Sequence, residues 1–143
     1  MFILTAVRDG VKWIFNIPIE VESISGKTIW EGTIEGNGDF NEILLSTDAR
    51  YTIAEYTAIR FNGDAIAFKS DGSAAHTFFL SFTAKRTMTQ SVVTLHEVRY
   101  DDEDTYEDFD ITVEISGGEL LMKVKNPDTY QWKVEGMITK LTI

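Results

Sequence analysis

The sequence predicts an all-β protein: an antiparallel β-sandwich, with a jelly roll or a barrel as alternative closures, of about ten strands and with little helix. Three observations lead there. Apolar residues recur at every second position through most of the chain, the period that sends one set of side chains into a core and the other into water. Glycine, proline, asparagine and aspartate punctuate the junctions between these runs, at spacings of roughly 8 to 15 residues. No long stretch carries the periodicity of an amphipathic helix.

The alternation is clearest over residues 109–143. Phe109, Ile111, Val113 and Ile115 alternate with Asp110, Thr112, Glu114 and Ser116. Gly117-Gly118 supplies the positive φ angles of a two-residue hairpin, after which Leu120, Met122 and Val124 return. Asn126-Pro127-Asp128-Thr129 ends that strand, because proline has no N–H for a central ladder. Tyr130, Trp132 and Val134 share the next face, so the three segments read as an antiparallel meander. After Gly136 the apolar set moves to Met137, Leu141 and Ile143, with Ile138 on the old parity, which predicts a bulge near Gly136.

Upstream, residues 2–7 read as a strand, Asp9-Gly10 as a hairpin turn, and Val11, Trp13, Phe15 and Ile17 as its return. Pro18 closes that strand, and Ile19, Val21 and Ile24 begin another. Ser25-Gly26-Lys27 turns the chain into a strand over residues 28–35. The Gly-rich, acidic stretch 35–42 is a turn. Glu35, Asn37, Asp39 and Asn41 are spaced like calcium-loop ligands, but Phe40 stands where that loop needs glycine and Ser46 where it needs a carboxylate. Residues 43–50 are the one place for a short helix, capped by Ser46 or Thr47. Residues 51–61 read mainly as a strand, Asn62-Gly63-Asp64 as a hairpin turn and 65–69 as the return. Ser70-Asp71-Gly72-Ser73 turns again, into strands at 76–86 and 90–100. Residues 101–108 hold six acids and no base, a self-repelling and solvated run.

A chain of 143 residues suits a single domain spanning 1–143, able to bury roughly two-thirds of its unfolded surface. Its 43% hydrophobic and 12% aromatic content furnishes a core without cross-links. The absence of cysteine excludes a disulfide framework, a thiolate nucleophile and a cysteine zinc site. No basic leader followed by an apolar region opens the sequence, and no apolar run is long enough for a membrane-spanning helix. The net charge of −10 disfavours nucleic acid, whose phosphates need a surplus of Lys and Arg.

Signals for catalysis are absent. His76 and His96 are the two histidines, both on strands, and no nucleophile elbow, zinc-binding helix motif or phosphate loop accompanies them. No enzyme activity, catalytic residue or cofactor is expected. The acidic run does not provide the separated carboxylate pair of glycoside hydrolysis. It does offer Asp102, Asp104 and Asp108 as oxygen ligands for a cation, set against the reading as a solvated loop. Trp132 falls on the buried parity of its strand, whereas Tyr106, among acids, is the aromatic expected to be exposed.

An acidic turn, then Phe109-Asp-Ile-Thr-Val113, Gly118 with Leu120-Leu-Met-Lys-Val124, and Tyr130-Gln-Trp132 leading to Val134 and a terminal isoleucine strand together resemble the C-terminal β-domain of bacteriophage virion proteins of the tail-fibre-like and head- or tail-decorating types. The strands at 76–86 and 91–100 fit the same pattern, so the resemblance covers residues 50–143. It departs at Phe109, where the family carries Trp, and in the length of the acidic run. The resemblance implies a non-catalytic virion structural protein, assembled in the host cytoplasm, that decorates a capsid or forms part of a tail or fibre. It further implies other virion proteins as partners and a homo-oligomer, a trimer first, with no nucleic acid and no membrane insertion. Met137, Leu141, Ile143 and Tyr106 are the interface residues expected on this reading. The alternative is a carbohydrate- or ligand-binding β-sandwich, calcium-assisted, whose aromatics and acidic loop form the site; a hydrolase is the third reading.

Overall fold

The structure, a computed structural model, describes residues 3–8, 11–16, 20–23, 27–101 and 108–143, with the backbone course alone up to residue 23. Strands β1 (Ile3–Arg8) and β2 (Val11–Asn16) pair antiparallel, Arg8 opposite Val11, as expected of a hairpin through Asp9-Gly10, itself outside the described residues. The other strands are β3 (Glu20–Ser23), β4 (Thr28–Glu35), β5 (Asn41–Leu45), β6 (Tyr51–Thr52), β7 (Thr57–Lys69), β8 (Ala75–Arg86), β9 (Ser91–Tyr100), β10 (Asp110–Ser116), β11 (Glu119–Lys125) and β12 (Thr129–Thr142). They form one antiparallel sheet in the order β10-β11-β5-β4-β12-β7-β8-β9, with β3 also beside β12 and β6 beside β11. No α-helix occurs among the described residues, so none is long and apolar enough to cross a membrane.

Strands β10 and β9, the two ends of this path, come into contact. The sheet therefore curls round on itself, and its inner face closes over a single buried cluster. Side-chain size alternates across that face. Trp132 on β12 lies between Gly32 on β4 and Ala67 on β7, and Val134 between Trp30 and Ala65. Small residues make room for rings, which is how a sheet curled this tightly reaches interior packing density. Phe61 stacks on Phe82 at 5.1 Å, Phe78 on Trp132 at 5.4 Å, and Trp30 meets Phe61 edge-on at 5.3 Å. The indole nitrogen of Trp30 is the one buried side-chain polar atom without a hydrogen bond among the described residues.

The architecture agrees with the all-β expectation, and several local expectations are corrected. Residues 109–125 do form a hairpin: Ser116 faces Glu119 across Gly117 and Gly118, with φ of 58° and 83°. The meander ends there. Strand β12 pairs with β4, β3 and β7, while β5 and β4 lie between it and β11. Asn62-Gly63-Asp64 is not a turn, for β7 runs through it unbroken, opposite Met137-Gly136-Glu135 on one side and Ser81-Leu80-Phe79 on the other. Gly136 makes no bulge, and the register from Tyr130↔Lys69 to Thr142↔Thr57 never slips. Both misreadings have one cause: the two glycines face each other. A Cβ on Gly136 would strike the Asn62 carbonyl, and one on Gly63 the Glu135 carbonyl and the Phe61 ring. Glycine here answers a close approach of two backbones, not a bend.

Two further expectations give way. Residues 43–50 hold the end of β5 and a turn instead of a helix, with Leu45 N–H donating to the Ala49 carbonyl at 2.8 Å. Residues 51–61 are split between β6 and β7, with the non-glycine Tyr56 at φ 58° in the break. A bulge does exist, on β9. Ser81 faces Glu97 but Phe82 faces Leu95, so His96 is the extra residue. That insertion switches the parity, and Tyr100, Val98 and Val93 all reach the core although their spacing is irregular.

One polar side chain ties the β11–β12 connection. Asn126, 1% exposed, donates through Nδ2 to the carbonyls of Ile34, Pro127 and Asp128 at 3.0 to 3.2 Å and accepts from Trp132 Nε1 at 3.0 Å. Asn126→Leu strands those partners in the interior. It is expected to cost about 3 kcal/mol and to lower Tm by roughly 10 °C in a thermal melt. Gly136→Val, which has no room across from Gly63, is expected to cost about 3 kcal/mol or more in urea unfolding.

Candidate interaction surface

Strict alternation along β12 sorts its residues. Tyr130, Trp132, Val134, Gly136 and Ile138 point inward and are buried; Gln131, Lys133, Met137, Thr139 and Leu141 point outward. The apolar change after Gly136 is therefore a property of the outer face. Met137, Leu141 and Ile143 are 43%, 39% and 81% exposed. The structure brings Leu141 and Ile143 together with Tyr56 and Ala58 around an apolar groove of about 180 Å³, walled by Lys85 and Arg86. Met137 stands on the same face, four residues along the strand from Leu141, about 13 Å away.

The groove is held by backbone hydrogen bonds and one long ion pair. Ile143 N–H donates to the Tyr56 carbonyl at 3.0 Å, closing the strand end onto the break before β7. Arg86 donates to the Ile53 carbonyl at 2.9 Å and reaches Glu55 at 4.0 Å. Thr57 and Thr142 hydroxyls share a hydrogen bond of 2.9 Å beneath the groove. Tyr56 was not legible as part of this surface, since its exposure follows from a left-handed backbone that only the fold imposes.

The remaining sequence candidates are scattered. Asp102, Asp104 and Tyr106 lie outside the described residues, and Asp108 is exposed. No three acidic or histidine side chains among the described residues converge as a metal site would require. His96, the bulge residue, sits 2.6 Å from the Thr83 hydroxyl. His76 Nδ1 and the Tyr100 hydroxyl are 2.8 Å apart, with the Phe109 ring 4.4 Å from the imidazole. Tyr130 closes the same ring cluster, and burial holds its hydroxyl above the ordinary tyrosine pKa. Along the outer face, Glu135 is kept below the ordinary carboxylate range chiefly by its hydrogen bond from Lys27, at 3.1 Å.

A second recess, open and of about 410 Å³, lies on the same outer face near the start of β12. It is lined by Glu31 and Thr33 of β4, Gln131 and Lys133 of β12, and Ile66 and Phe68 of β7. The sequence carries a signal for it: in β7 the inward residues Gly63, Ala65 and Ala67 are small, while the outward Ile66 and Phe68 are large.

No protein-family profile matches the chain, and no curated protein matches it. Among solved structures it is similar to the tailspike protein of Acinetobacter baumannii bacteriophage Fri1, a capsular polysaccharide depolymerase, at 10% identity and a TM-score of 0.41, covering 85% of this chain and 20% of that one. It is also similar to the tailspike protein of Acinetobacter baumannii phage AM24, at 9% identity and a TM-score of 0.36, covering 81% of this chain and 26% of that one. The chain spans a small part of either tailspike, and overlap at this level assigns no activity.

Proposed function

We propose that the chain is a non-catalytic assembly module of a phage virion, belonging to a tail or fibre, that works by contact with further copies of itself. The observation that carries the proposal is the apolar outer face at the end of β12. Met137, Leu141 and Ile143 are exposed there while the inner face already supplies a closed core, so folding does not account for them. The resemblance of residues 50–143 to virion β-domains gives the setting. An exposed apolar patch of this kind suits a protein contact, and a head-to-tail contact between copies whose rotation closes gives a ring such as a trimer.

The two histidines sit in local contacts, His96 at the β-bulge beside the Thr83 hydroxyl and His76 beside Tyr100 and the Phe109 ring. Sedimentation of the purified chain at about 10 μM, ample for an interface of micromolar Kd, is expected to show a trimer. Leu141→Asp with Ile143→Asp is expected to give monomers with unchanged circular dichroism. A monomeric wild-type chain under those conditions overturns the proposal.

A further inference from the structure

We propose that the recess between β4, β12 and β7 is a glycan-binding subsite that takes hexopyranose units, distinct from the apolar groove at the other end of β12. Its two rows are fixed by register. Thr33, Gln131 and Phe68 stand side by side across the three strands, and Glu31, Lys133 and Ile66 form the next row. A pyranose ring presents hydroxyls around its rim and C–H groups on its faces. The first row answers with a hydroxyl, an amide that both donates and accepts, and a ring on which C–H groups can lie. The second adds a carboxylate able to accept from two neighbouring hydroxyls.

Lys133 Nζ lies 3.4 Å from Glu135 on its own strand, and Glu31, its neighbour in register, faces solvent. Phe68 is 47% exposed, and Gly72 of the β7–β8 turn, at φ +78°, leaves open the space that a side chain there would take up beside its ring. The volume of about 410 Å³ lies within the range of small-ligand sites.

Other occupants fit less well. The floor is the face of β12, which is hydrogen-bonded along both edges, so an extended peptide finds no edge to join. One lysine in a chain of net charge −10 does not attract nucleic acid. A second protein copy would have to desolvate Glu31, Gln131 and Lys133 together, whereas sugar hydroxyls replace their water one for one.

The test is amide-shift NMR of the intact chain titrated with glucose, galactose, mannose and N-acetylglucosamine, each to about 50 mM, enough for the millimolar Kd of single sugars. The expected result is saturable shifts centred on Thr33, Gln131 and Phe68 with at least one sugar, weakened fivefold or more by Phe68→Ala. Leu141→Asp, at the far end of the face, is expected to leave them unchanged, which separates this subsite from the assembly surface. No shift with any of the four sugars, shifts centred elsewhere, or shifts that follow protein concentration alone overturn the proposal.

Discussion

The constraint on which this fold depends is the double ladder of β12. It is bonded to β7 from Tyr130 to Thr142 on one side, and on the other to β4 up to Gly136 and to β3 from Thr139. A strand paired on both sides commits its residues to one face or the other, and a slip by one position would turn Trp132 and Val134 out into water. The facing pair Gly63 and Gly136 lets the two longest strands approach at their midpoint, where any side chain would force them apart. The curl of the sheet follows. With small residues on the inner side of β7, the rings of Trp30, Phe61, Phe78 and Trp132 can meet in the middle.

That same commitment explains the outer face. Because Ile138 completes the inward set, Met137 and Leu141 cannot be drawn into the core by any rotation of the strand, and their exposure is fixed by geometry. Polar rows separate them from the recess at Gln131 and Lys133. The row Glu135 and Asp64, with Lys27 reaching across to Glu135, lies between the two. One strand thus displays two surfaces of different chemistry, an apolar one and a mixed polar and aromatic one.

The sequence was readable wherever one residue had one job. Alternation located β8, β10 and β11 almost to the residue, the turn before it located β4, and Gly117-Gly118 and Ser70-Asp71-Gly72-Ser73 turn as their composition requires; in the latter, Asp71 accepts from Ser73 N–H at 2.9 Å. It misled where glycine had a second use. Asn62-Gly63 has the composition of a hairpin turn, yet nothing local reveals that Gly136 stands opposite. Strand order was equally hidden: β4 and β5 separate β11 from β12 although the latter two are neighbours in the chain, since pairing depends on contacts far apart in sequence. Of the expected interface, Met137, Leu141 and Ile143 were visible as apolar residues off parity, while Tyr56 and Phe68 depend on a left-handed break and on the size inversion along β7.

The place where the curled sheet meets itself differs in kind from every other junction in the molecule. Between β9 and β10 the join includes a ring contact, with Phe109, just before β10, 6.4 Å from Tyr100 at the end of β9, and among the described residues no ladder pairs the two strands. Attraction of this sort is non-directional and fades on cooling, so the cylinder has a seam that can part without unzipping a strand.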